Sequence, residues 1–149
     1  RIIMAKVKIK NTSSYRISII LDNVRYRRDL NPGAETTLPE DVFEEFNYDN
    51  GCRNYMRNGF IKVITEDEEV KESIPAMPKD VDIDAEELIT KKTVQELAVV
   101  LKSASPAMKE KIIAAAIKHS AVDAPRVTLI KTHCGVDVLN ALNLQRSME

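Results

Sequence analysis

Side chains able to carry out chemistry on their own are scarce in this chain, which has two histidines and two cysteines in 149 residues. They are Cys52, His119, His133 and Cys134. A metal centre needs several such ligands, or carboxylates, converging on one point. His133 and Cys134 are neighbours, so on a helix they point about 100° apart. Their spacing therefore predicts a solvent-facing histidine beside a thiol that packs as a small hydrophobe. Cys52 adjoins Arg53, a cation that would lower the thiol pKa, but no sequence feature brings a histidine to it as a base. The carboxylates of residues 66–87 read as a solvated charge run. No GxGxxG, P-loop or GxSxG pattern occurs, and the chain holds only four glycines, too few for a phosphate-cradling loop beside its turns. The expectation is a protein without catalytic residues, without a metal site and without a cofactor.

A second kind of chemistry is recognition by charge. Arg25, Tyr26, Arg27 and Arg28 form a basic, aromatic segment, and Arg53 and Arg57 flank Tyr55. Arginine neutralises phosphate and tyrosine stacks on bases, so a nucleic-acid-binding regulator is one reading of these residues. The same arginines suit an acidic protein surface equally well, and alternating Arg and Tyr is also how a half-buried strand displays its wet face. The acidic stretch downstream would compete for this patch, which counts against nucleic acid.

These residues must be held by elements that the periodicity predicts. Residues 6–10 alternate, with Val7 and Ile9 on one side and lysines on the other, as in a half-buried strand. Asn11 to Ser14 is a turn cluster. Residues 15–21 resume the alternation, Asp22-Asn23 turns the chain, and residues 24–28 return as the second strand of a hairpin. Pro32-Gly33 marks a tight turn before an extended segment over 34–38. Glu40-Asp41 opens a short helix carrying Val42, Phe43 and Phe46, and Asn50-Gly51 is expected to end that unit. Cys52 to Asn58 predicts one further helical turn stopped by Gly59, and residues 60–64 a last strand.

From Thr90 onward the signals are helical. Thr93 and Glu96 fit a capping box, followed by Val94, Leu97, Ala98 and Leu101 on one face. Ser105-Pro106 starts a second helix with Met108, Ile112, Ala115, Ala116 and His119 at helical spacing. Asp123-Ala124-Pro125 opens a third, with Val127, Leu129 and Ile130, stopping near Gly135. A fourth, short helix is expected from Asp137 through Leu142. Short loops between them imply an antiparallel cluster.

Charge divides the chain the same way. Residues 1–65 carry eleven Lys/Arg against eight Asp/Glu, residues 66–89 two against ten, and residues 90–149 nine against five. The fold expected is α+β: a small β-rich module over 1–65, an acidic linker over 66–89 interrupted by Pro75 and Pro78, and a helical module over 90–149. An extended linker of that length would reach up to about 80 Å. A β-module of this size lies near the lower margin of independent stability and would gain from a partner surface. No apolar run approaches the ~18 residues of a membrane span. The opening Arg1-Ile2-Ile3-Met4 is too short an apolar run, and too soon followed by lysines, for a signal peptide. Two distant cysteines suggest a reducing, intracellular setting. Met4-Ala5-Lys6 has the form of a translation start, leaving residues 1–3 as an upstream extension, a processing product or an added remnant.

The order Val7-Lys-Ile-Lys-Asn11, Leu30-Asn-Pro-Gly33, Leu38-Pro39, Tyr48-Asp-Asn-Gly51 and Gly59-Phe-Ile-Lys-Val63 resembles small β-rich modules of virion proteins from tailed bacteriophages, notably head-associated decoration and connector components. The resemblance covers about the first 65 residues and implies a structural protein that binds an assembled lattice. Its partner would be the major capsid protein or another virion protein, at the capsid exterior or the head–tail junction. The helical module would project outward or pair with copies of itself. The location implied is the virion, and the bacterial host cytoplasm during assembly.

Overall fold

Alternation decides the first element. In the computed structural model, which describes residues 7–119, 123–138 and 140, Val7 and Ile9 are buried on β1 (Val7–Asn11) while Lys8 faces solvent. β1 is the central strand of a three-stranded antiparallel sheet, between β4 (Glu35–Leu38) and β5 (Ile61–Ile64). Val7 lies opposite Leu38, and Ile9 opposite both Thr36 and Val63. A separate ribbon pairs β2 (Ile17–Leu21) with β3 (Tyr26–Leu30), placing Ile17 opposite Leu30 and Leu21 opposite Tyr26. The return strand starts two residues later than the sequence suggests. A 3-10 turn takes Asp22–Val24, and Arg25 closes it in the left-handed region (φ 51°), its N–H donating to Asp22 O at 3.1 Å.

Helix α1 (Glu40–Tyr48) buries Val42, Phe43 and Phe46 as its spacing requires. Asn50-Gly51 does not end the unit, as expected from sequence, but begins α2 (Asn50–Arg57). The reason is Asp49, whose carboxylate accepts from Cys52 N at 2.9 Å and so caps a new helix one residue after the old one stops. Gly59, at φ 84°, then turns the chain into β5, and Tyr55 and Phe60 meet edge to face at 6.3 Å.

The linker expected over 66–89 is not a linker along its length. Asp67 caps a short helix α3 (Glu68–Ser73), accepting from the Glu69 and Val70 amides. What read as a repelling charge run is a helix N-terminus, where cap geometry and the positive end of the backbone dipole favour carboxylates. Val70 is buried in the same core as the sheet, with Ile74 and Met77 packed against it. The helix ends one residue before Ile74-Pro75, where proline disfavours helical backbone. The chain divides into two compact units at Val81/Asp82. The acidic stretch is thus shared between them, and the first unit runs well past residue 65.

In the second unit, Asp84 caps α4 (Ala85–Thr90), a helix inside the stretch expected to be linker. α5 (Val94–Lys102) carries the Thr93/Glu96 capping box. α6 is Pro106–His119, with Ser105 Oγ accepting from Met108 N at 3.2 Å, and α7 is Ala124–Cys134, capped by Asp123 and ended by Gly135 at φ 72°. α4 packs on α6 and α5 on α7, enclosing Leu88, Leu97, Leu101, Met108, Ile112 and Ile130. Each such side chain contributes about 1.5–3 kcal/mol by leaving water. Of the helix expected over 137–142, Val138 is buried and Asn140 N donates to Asp137 Oδ1 at 3.2 Å; the remainder lies outside the described residues. The architecture is α+β, with strands in the N-terminal unit and helices filling the C-terminal one.

One polar side chain sits at the centre of the first unit. Asn11 is fully buried, and all four of its amide valences are used. Nδ2 donates to Tyr15 O (2.7 Å) and Leu30 O (2.8 Å), while Oδ1 accepts from the N–H and hydroxyl of Ser13, both at 2.8 Å. Its backbone N–H donates to Ala34 O and its carbonyl accepts from Gly33 N. Asn11→Ala strands the buried Leu30 carbonyl and the buried Ser13 N–H and is expected to cost about 2–3 kcal/mol. Urea unfolding measures this, and a loss below about 0.5 kcal/mol, the size of an ordinary surface change, would disprove the assignment.

Candidate functional site

The four reactive side chains divide between the two units. Cys52 lies on α2 in the first unit; His119, His133 and Cys134 lie at the ends of α6 and α7 in the second. The Cys52 thiol is buried and pushed from its ordinary 9.0 up to about 12, by burial first and then by the hydrogen bond and charge of Asp49. This reverses the expectation that Arg53 would lower it. The guanidinium is turned away, with Nη1 donating to Asn47 O (2.9 Å), Asn47 Oδ1 (2.6 Å) and Ser73 O (3.3 Å). Burial also raises the Cys134 thiol, against an opposing charge on Lys109. His119 Nε2 stands 3.8 Å from Glu86 Oε2. Glu86 bonds more closely to Lys118 Nζ at 2.6 Å, which is the main reason its carboxyl is held below the usual range. Among the described residues no group of three or more His, Cys, Asp or Glu is placed to hold a metal ion. No helix among them is long and apolar enough to cross a membrane.

The basic segment is split by strand geometry. Residues opposite each other in an antiparallel pair share a face. Arg27 pairs with Ile20 on the outer face of the ribbon, and Arg28 pairs with Ile19 on the other. Arg25 sits in the turn, and Tyr26 is half-buried against the core. On the outer face Ser18 Oγ donates to Asp29 Oδ1 at 2.6 Å; that bond, helped by the charges of Arg16 and Arg27, keeps the Asp29 carboxyl low. Arg57 donates to Asn54 Oδ1 at 3.1 Å, and Tyr55 is engaged with Phe60. Of the six residues proposed to bind a partner, Arg53 is half-buried and acts as a clamp joining α1, α2 and the end of α3. Arg25, Arg27 and Arg28 remain exposed.

Two grooves lie elsewhere, at the C-terminal end of α1. Tyr48 is 82% exposed and stands between them. One, of about 450 Å³, is lined by Phe43, Glu44, Glu69 and Val70; the other, of about 410 Å³, by Ile20, Asp22, Glu45 and Asp49. Ile20 is itself 52% exposed. Sequence reasoning passed over this face. The available signal was spacing, because Tyr48 follows Phe46 by two residues and so points about 200° away around the helix, towards Glu44 and Glu45.

Comparison of the chain with family models, with curated proteins and with solved structures gives no match.

The two arginine environments predict different outcomes. Arg53→Ala should cost about 2 kcal/mol in urea unfolding, because charged hydrogen bonds to backbone carbonyls are lost. Arg27→Ala should stay within about 0.5 kcal/mol. Equal effects would refute the clamp. The thiol gives a pH dependence of known sign. Its contribution to stability is whole below 9.0 and is lost as pH climbs towards about 12, because over that range only the unfolded chain releases the proton. The stability gap between wild type and Cys52→Ala should therefore narrow in alkali, and Cys52 should resist alkylation in the native chain at neutral pH. Labelling as fast as in urea would contradict the burial.

Proposed function

We propose that the protein is a non-catalytic structural component of a tailed-bacteriophage virion whose N-terminal unit docks on an assembled capsid lattice as a decoration or cement protein. The observation that carries this reading is the face around Tyr48. A nearly fully exposed aromatic ring sits between two grooves, with an exposed isoleucine on one rim and carboxylates on both. Aromatic side chains in such settings are the usual anchors of protein interfaces, because they bury a large area at little entropic cost. The carboxylates around them favour a partner with basic side chains. Many identical weak contacts on a lattice reinforce one another, so a small unit can bind firmly by repetition. The resemblance of the first 65 residues, in their order of turns and strands, to phage head-associated modules is the reason for choosing this lattice. A connector or tail position uses the same chemistry, and self-association through the helical unit is compatible with it.

A nucleic-acid regulator has less support. Arg27 shares its face with Asp29, Arg53 is engaged as a clamp, and Tyr55 packs against Phe60, so the basic and aromatic residues do not form one stacking platform.

Co-sedimentation with purified particles tests the proposal. Wild type is expected on particles in many copies, and Tyr48→Ala, while unfolding at the same urea concentration, should bind about tenfold more weakly. Absence from particles, a presence of only a few copies, or binding indifferent to Tyr48→Ala would each defeat it. Steep salt-dependent DNA binding by the free protein would replace it with the regulator reading.

A further inference from the structure

The chain contains two Asn-Gly pairs, Asn50-Gly51 and Asn58-Gly59, and the structure treats them oppositely. We propose that Asn50 is a site of spontaneous deamidation and that Asn58 is protected. The reaction needs the backbone nitrogen after asparagine to reach the side-chain amide carbon, and glycine permits this because no Cβ shields its nitrogen or restricts its backbone. Gly51 N attacks Asn50 Cγ. The Cγ–Nδ2 bond breaks, the proton from Gly51 N leaves with the departing nitrogen as ammonia, and a succinimide ring forms. Water then opens the ring. Cleavage at Cγ gives aspartate with the normal backbone, and cleavage at the main-chain carbonyl gives isoaspartate.

Asn50 and Gly51 are both exposed, in the first turn of the eight-residue helix α2. The first N–H groups of a helix have no intrahelical acceptor. Asp49 takes Cys52 N with its carboxylate and Arg53 N with its carbonyl, and no acceptor for Gly51 N–H is found among the described residues. A first turn held in this way, with glycine as its second residue, opens readily at its end. Asn58-Gly59 is fixed on every side. Gly59 is buried at φ 84°, its N–H donates to Met56 O (3.3 Å), its carbonyl accepts from Thr12 Oγ1 (2.6 Å), and the next amide, Phe60 N, donates to Tyr55 O (2.9 Å). Ring closure there must break this joint between α2 and β5.

The consequence falls on the groove beside Tyr48, which Asn50 lines together with Asp22, Glu45 and Asp49. Conversion adds a carboxylate to that groove. The normal aspartate is tolerated at a helix N-terminus, whereas isoaspartate inserts an extra methylene into the backbone at the α1–α2 joint.

The test is peptide mapping by mass spectrometry of the full chain held in warm, mildly alkaline buffer. In the native protein, the peptide containing Asn50 should show the NH-to-O mass gain, as separate aspartyl and isoaspartyl products, several-fold faster than the peptide containing Asn58. In urea the two rates should converge. Gly51→Ala places a methyl 3.1 Å from Asp49 Oδ2, the oxygen that accepts from Cys52 N, so the carboxylate must shift by a few tenths of an ångström; the change should slow conversion at residue 50 alone. The proposal is overturned if Asn58 converts as fast as Asn50 in the native chain. It also fails if native Asn50 stays intact while the unfolded chain reacts, or if Gly51→Ala leaves the Asn50 rate unchanged.

Discussion

The first unit depends on the saturated amide of Asn11. Its two sheets are not hydrogen-bonded to each other strand to strand: β1 belongs to one and β2–β3 to the other. Asn11, the last residue of β1, reaches the carbonyl of Leu30 at the end of β3 and that of Tyr15 ahead of β2. Its own backbone is tied to the Gly33-Ala34 turn that leads into β4. Hydrophobic contact alone is non-directional and would let the ribbon slide on the sheet. A buried amide has a single arrangement in which every donor and acceptor is met, and any other leaves unpaired polar atoms in a dry place. This fixes the registration of the two sheets and thereby where α1 lies against β2.

The same economy recurs at the helix ends. Asp49, Asp67, Asp84, Thr93 and Asp123 each accept from the first free amides of a helix. Part of the chain's high carboxylate content is therefore used in local structure and does not form an outward acidic field. Arg53 completes the set by holding the carbonyls of Asn47 and Ser73, so the ends of α1 and α3 are pinned to α2. α1 and α3, held near each other, leave one groove between them, and the turn of the ribbon leaves the other. Tyr48 is exposed because the core side of α1 is already filled by Val42, Phe43 and Phe46, and its own position falls outside that stripe.

Much of the fold could be read directly from residue order. The alternation of Val7 and Ile9, the turn at Pro32-Gly33, the capping box at Thr93, and the starts at Ser105-Pro106 and Asp123-Ala124-Pro125 are local patterns. A strand, a turn and a cap are each set by neighbours in sequence, so no long-range information is needed. Asp67 and Asp84 failed as signals for a different reason. A cap and a solvated charge run have the same composition, and only the burial of Val70, Leu88 and Ile89 in two separate cores distinguishes them.

What the sequence determined by itself is the α+β class, most element positions and the scarcity of reactive side chains. Tertiary structure decided the rest: that Asn11 is a buried joint and not a turn residue, that Arg53 ties helix ends together while Arg27 faces water, and that Cys52 is raised instead of lowered. It also decided that the open surface gathers at Tyr48. Each of these turns on which distant carbonyl, carboxylate or apolar side chain lies within a few ångströms, and spacing along the chain carries no record of that.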